Sequence, residues 1–117
     1  MKGVNGVTAL HVAASYNRAE CAKVLINNGC KICQPCDNGF YPIHIAAKKG
    51  SNETLEVLLE TGAERGYTRA MMLSFVDKEK NSPLHAAVNS GDYEVVKLCL
   101  DHGAEIDTRQ DDQVQKV

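Results

Sequence analysis

Apolar residues fall in short bursts set a fixed distance apart. Leu10-His11-Val12-Ala13-Ala14 is followed, after a polar break, by Val24-Leu25-Ile26. The same couplet returns as Ile43-His44-Ile45-Ala46-Ala47 with Val57-Leu58-Leu59, and again as Leu84-His85-Ala86-Ala87-Val88 with Leu98-Cys99-Leu100. Bursts of this length, bounded by capping and breaking residues, predict pairs of short helices with one apolar face each. Thr8 and Ser82 stand where an N-cap is needed, and Pro42 and Pro83 take the first helical position, where a missing N–H costs nothing. Asn17, Gly50 and Gly91 then break the first helix of each pair, and Gly29, Gly62 and Gly103 are read as ending the second. Helix pairs are thus predicted at about 9–29, 42–62 and 83–103. Asn5-Gly6 and Asn38-Gly39 between units are type I′ turn signals and predict hairpins projecting from the helices.

The period is as informative as the pattern. Thr8-Ala9-Leu10-His11-Val12-Ala13-Ala14 recurs 33 residues later as Tyr41-Pro42-Ile43-His44-Ile45-Ala46-Ala47, and 41 residues after that as Ser82-Pro83-Leu84-His85-Ala86-Ala87-Val88. The second spacing carries eight extra residues, and Thr68 followed by Arg69-Ala70-Met71-Met72-Leu73-Ser74-Phe75 reads as an N-cap with one or two turns of additional helix. The expected architecture is an all-α repeat solenoid of about three units plus partial ends. One domain spans 1–117, with units at about 5–37, 38–78 (insertion at about 64–76) and 79–107, and a partial unit at 108–117.

Composition narrows the function. Thirteen basic and 15 acidic side chains leave a formal charge of -2, which argues against a polyanionic partner such as nucleic acid. Four Tyr, two Phe and no Trp leave the core to Leu, Val, Ile and Ala. No apolar run reaches the roughly 20 residues that span a bilayer, and the start lacks a signal peptide, so no direct membrane contact is expected of this stretch. Five cysteines form an odd set better read as thiols in a reducing compartment than as a disulfide framework.

Among those thiols, Cys30, Cys33 and Cys36 have the spacing that opens an iron–sulfur or zinc site. A fourth ligand is missing, because position 40 is Phe40 and His44 belongs to the repeat, so no metal and no cofactor are expected. Cys99 aligns with Leu25 and Leu58, and Cys21 with Thr54 and Val95, which places both in helix faces as inert residues. Cys33 and Cys36, on the hairpin beside Lys31, are the candidate reactive thiols. His11, His44 and His85 share one repeat position and read as structural hydrogen-bonding residues rather than catalytic ones. Asp107-Thr108-Arg109-Gln110-Asp111-Asp112 lacks the glycine and terminal glutamate of a calcium loop. With no phosphate loop, nucleophile elbow or catalytic acid pair in the sequence, the chain is not expected to be an enzyme.

The 33-residue unit with its Thr-Pro-Leu-His-x-Ala-Ala pattern resembles the ankyrin repeat over nearly the whole chain. Tyr41-Pro42-Ile43-His44, the stretch Gly62 to Arg69 and Ser82 to Val88 with Gly91-Asp92-Tyr93-Glu94 are similar, insertion included, to the cytosolic ankyrin region of A-type transient receptor potential cation channels, with an arthropod member as the expected source. That resemblance implies an N-terminal cytosolic segment of a calcium-permeable, non-selective cation channel sensing heat or noxious chemicals. The segment would be an elastic coupling or regulatory module on the cytoplasmic side of the plasma membrane, with the pore elsewhere in an integral membrane protein. Its expected partners are neighbouring repeats, other subunits of a homotetramer and cytosolic regulatory proteins. The alternatives are a soluble ankyrin adaptor that binds a protein partner, and a redox or metal module at Cys30, Cys33 and Cys36. In a solenoid of this kind the hairpin tips and first helices line the concave face. The candidate contact residues are Asn5, Asp37, Asn38, Phe40, Tyr41, Lys78 and Glu79 from the hairpins and Ser15, Tyr16, Lys48, Lys49, Asn89 and Ser90 from the helices. Tyr41, where Thr or Ser is usual, puts the local histidine bond of its unit in question and is expected to turn its ring to the concave face.

Overall fold

A computed structural model describes residues 6–104; Asn5, the hairpin expected at 106–107 and the partial unit at 108–117 lie outside the described residues. Seven helices occur among them: α1 (Ala9–Ser15), α2 (Ala19–Asn27), α3 (Pro42–Lys49), α4 (Asn52–Glu64), α5 (Arg69–Met72), α6 (Pro83–Ser90) and α7 (Tyr93–Asp101). They form the three expected pairs plus one helical turn from the insertion. No strand is present among the described residues. The first helices stack as one layer, α1 on α3 on α6, and the second helices as another, α2 on α4. The stack measures 47 × 28 × 28 Å.

Burial shows how the stack is held. α4, in the middle unit, buries Thr54, Leu55, Val57, Leu58, Leu59 and Gly62, whereas α2 buries only Ala22 and Ile26, and α7 only Val95 and Cys99. A helix packed on two sides needs apolar residues around more of its circumference than one packed on a single side. The core is accordingly aliphatic, built on Leu10, Ile43, Leu55, Leu58 and Leu59, all essentially inaccessible. In the third unit an apolar side chain remains open: Val88 is 60% exposed, where its counterparts Ala14 and Ala47 are buried.

The helix breaks follow the sequence. Asn17 has φ +56°, and Gly50 and Gly91 are left-handed C-caps. Gly62 departs from its expected role. It lies inside α4, which runs on to Glu64, and the left-handed residue that follows the helix is Gly66, with φ +98°. The reason is the insertion: Met72 packs onto Gly62 so closely that a Cβ there would collide with the Met72 sulfur. The glycine makes room for a crossing segment instead of ending a helix. α5 itself is as expected, with the Thr68 hydroxyl accepting from the Met71 N–H at 3.0 Å and a single turn of helix following.

The inter-unit turns differ from the type I′ expectation. Asn38 does not have a positive φ, whereas Gly39 does, at +86°, and the Gly39 N–H donates to the Cys36 carbonyl at 2.9 Å. A tight turn followed by a left-handed residue closes a three-residue loop with a bulge. The next hairpin repeats it: the Lys80 N–H donates to the Asp77 carbonyl at 3.0 Å, and Lys80 holds φ +69° in the glycine position. Asp77 steadies that loop, its Oδ1 accepting from the Glu79 and Asn81 N–H groups at 2.8 and 2.9 Å.

Candidate interaction surface

The histidines of the first two units tie their helices to the next hairpin. In the first unit the Thr8 N–H donates to His11 Nδ1 at 3.1 Å, and His11 Nε2 reaches the Phe40 carbonyl at 2.8 Å. An Nδ1 that accepts leaves Nε2 carrying the proton, so the ring is neutral and donates across the interface. In the second unit the Tyr41 N–H replaces that of Thr8, at 3.0 Å from His44 Nδ1. The local bond therefore survives the loss of the hydroxyl. His44 Nε2 lies 3.1 Å from the Asn81 carbonyl, the counterpart of Phe40, and also 3.0 Å from the Phe75 carbonyl in the insertion. Burial, foremost, lowers the pKa of both rings, partly offset by the carbonyls they bond. In the third unit the Ser82 N–H donates to His85 Nδ1 at 3.0 Å.

Polar links join the second layer as well. The Ser51 hydroxyl donates to the Ala14 carbonyl at 2.6 Å. Asn17 Oδ1 accepts from the N–H and hydroxyl of Thr54 at 3.1 and 3.0 Å, while its amide donates to Glu53 at 2.7 Å. Arg65 Nη2 reaches back to the Ile26 carbonyl at 3.3 Å.

On the face lined by first helices and hairpins lie two concavities of about 340 Å³ each, sharing Phe40, Lys48 and Lys49. Lys48 Nζ sits 5.2 Å above the Phe40 ring, within cation–π reach, and marks the divide between them. The first concavity gathers Ser15, Tyr16 and Asn38 from the expected set, and the second Glu79, Asn89 and Ser90. Asp37 and Lys78 are exposed at the hairpin tips but line neither; a Cβ on Gly39 would lie 2.7 Å from the Lys78 backbone nitrogen, so adjacent tips pack on one another. Tyr41 corrects the expectation outright: its ring stacks on Phe75, centroids 4.6 Å apart, and lines neither concavity. Val12, Ile45 and Ala86 do line the groove, though they are absent from the expected set. Each follows the repeat histidine directly, at the one variable position inside His-x-Ala, a signal the sequence offered.

The thiols also rearrange. Cys36 is buried rather than exposed, because the hairpin closes over it, with its N–H donating to the Phe40 carbonyl at 2.9 Å. Cys33 is half-buried, and burial pushes its thiol up to about 11, away from the thiolate that reactivity needs. Cys99 is buried as expected and likewise raised to about 11. Cys21 is exposed, contrary to the expectation from its alignment with Thr54 and Val95: Thr54 is bonded to Asn17 of the preceding unit, and no preceding helix pair stands before Cys21 among the described residues. Among the described residues no group of three His, Cys, Asp or Glu could hold a metal ion, and no helix is long and apolar enough to cross a membrane.

The family model described as ankyrin repeats in three copies matches residues 1–69 and 34–110. The chain belongs to the ankyrin-repeat family. Within it, the chain is 52% identical over 112 residues to transient receptor potential cation channel subfamily A member 1 of Drosophila melanogaster, and 43% identical over 107 residues to its human namesake. These alignments cover 94% and 92% of this chain but only 9% and 10% of the channels, so the ankyrin chain spans about a tenth of the curated relatives it matches. Human protein phosphatase 1 regulatory subunit 27 is 36% identical over 64 residues, covering 55% of this chain and 42% of that protein. The likeness to the two channels thus extends over nearly the whole chain, whereas the likeness to the regulatory subunit covers about half of it.

Proposed function

We propose that this ankyrin chain is part of the N-terminal cytosolic repeat domain of a non-selective, calcium-permeable cation channel that responds to heat or noxious chemicals. The observation that carries the reading is the 52% identity over 112 residues, 94% of the chain. The segment performs no chemistry. It acts as an interaction and coupling module, in contact with neighbouring repeats, with other subunits of a tetramer or with cytosolic regulators, on the cytoplasmic side of the plasma membrane. Coupling of this kind requires that a stimulus change the relative free energy of two channel states through contacts that differ between them. A stack whose first two units are tied by His11, Asn17 and Ser51, and whose second and third are tied through His44, transmits displacement through directional bonds at both interfaces.

Expression of the full-length protein carrying this segment, in cells without such currents, followed by whole-cell recording, tests the proposal. A stimulus-evoked, calcium-permeable, poorly selective current is expected. A protein that stays in the cytosol and supports no current would instead favour the soluble-adaptor reading.

A further inference from the structure

The two concavities differ in charge. The first is walled by Val7, Val12, Ile45 and Phe40 and rimmed by Lys48 and Lys49, with no carboxylate among its lining residues. The second shares those lysines but also holds Asp77 and Glu79. Asp77 is spent on its own hairpin, its Oδ1 accepting two backbone N–H groups, and is buried. Glu79 is therefore the acidic counterweight, and it lines the second concavity and not the first. Lys48 is held in place by the Phe40 ring beneath it, which limits the freedom it loses when it meets an anion.

We infer that the first concavity binds an extended acidic peptide segment, with one apolar side chain seated against Val12, Ile45 and Phe40 and neighbouring carboxylates on Lys48 and Lys49. This rests on the reading of the chain as an interaction module and names the chemistry of its partner. An apolar floor with a few convergent charges at its rim is the usual make-up of a peptide pocket. Carboxylates are the matching groups because the rim charge is cationic and unneutralised within the pocket. Two lysines on a chain of net charge -2, with only Phe40 and Tyr16 as aromatics at the pocket, make a poor nucleic-acid site, which needs a longer cationic track.

The test uses the whole chain and an array of end-capped peptides of about eight residues, each with a central Leu or Phe flanked by Asp, Asn or Lys. A single-stranded oligodeoxynucleotide serves as a second probe. Binding is read by amide chemical-shift changes and by affinity. Asp-flanked peptides are expected to shift amides around Val12, Ile45 and Lys48 and to bind about tenfold or more tightly than Asn-flanked ones. Lys48→Glu with Lys49→Glu is expected to abolish that preference, and the exposed Lys31→Glu, outside the groove, to leave it intact. Val12→Asp, at a half-exposed site, checks the apolar contact without emptying the core. Equal binding of Asp- and Asn-flanked peptides at the same amides would overturn the acidic chemistry while leaving an interaction surface in place. Stronger binding of the oligonucleotide, or an array in which no peptide shifts these amides, would overturn the site altogether. Neither result bears on whether the full-length protein carries current.

Discussion

The ring of Phe75 lies on the ring of Tyr41, centroids 4.6 Å apart and planes 19° apart, while the Phe75 carbonyl accepts from His44 Nε2 at 3.0 Å. The insertion is thereby fastened to the second unit at two points, a stacked ring and a shared hydrogen bond. Stacked aromatic pairs contribute about 0.5–1.5 kcal/mol beyond burial. A cycle built from Tyr41→Ala, Phe75→Ala and the double variant should return a coupling energy in that range from chemical denaturation. Additive single effects would mean that the rings do not support each other.

Gly62 and Met72 form the second anchor. A methyl on Gly62 collides with the Met72 sulfur, so Gly62→Ala is expected to destabilise the chain by about 1–3 kcal/mol despite replacing a helical glycine with the best helix former. With Met72→Ala already present the collision is gone, and Gly62→Ala should become neutral or stabilising. Thermal midpoints of the four proteins decide this; a loss of the same size in both backgrounds would place the cost elsewhere.

The buried histidines set a pH dependence. His11 and His44 have lowered folded-state pKa values, so the unfolded chain binds protons more readily than the folded one below about pH 6.5. Their contribution to stability is complete above that value and drains away as pH falls through the lowered folded-state values. Protonation of Nδ1 removes its acceptor role toward the Thr8 and Tyr41 N–H groups. Denaturation midpoints from about pH 8 down to about pH 5 should fall, and a His44→Gln variant should fall less over the same range. Equal slopes would show that His44 does not report on folding.

Thiol exposure gives a residue-by-residue check. A dilute alkylating reagent should label Cys21 first in the native protein and should reach Cys36 and Cys99 only on unfolding. Cys33 should react slowly because burial raises its thiol to about 11. Mass spectrometry of the labelled peptides reads the order, and native labelling of Cys36 would contradict the closed hairpin.

What the sequence revealed and what it hid separate along one line. Features fixed by a few neighbouring residues were legible: Asn17, Gly50 and Gly91 as breakers, and Thr8, Ser82 and Thr68 as caps. Features fixed by packing between units were not. Gly62 aligns with Gly29 and Gly103, which do have positive φ, yet Met72 crossing above it extends the helix past it. Cys36 sits in a polar hairpin sequence and is buried by that hairpin's own closure. Tyr41 was read against its own unit, whereas its neighbour Phe75 arrives from the insertion. At the candidate surface, hairpin and helix residues follow from repeat position, whereas Val12, Ile45 and Ala86 lie inside the apolar burst and are absent from the expected set.

The most direct measurement is a transplant. The segment of the Drosophila melanogaster channel that aligns with this chain is replaced by residues 1–117, and cation entry is recorded under stimuli that open the intact channel. At 52% identity, with the insertion in place, the inter-unit contacts should be preserved, and evoked entry close to that of the intact channel is expected. A chimera that folds and reaches the plasma membrane but stays silent would contradict a coupling role for this segment in an A-type channel.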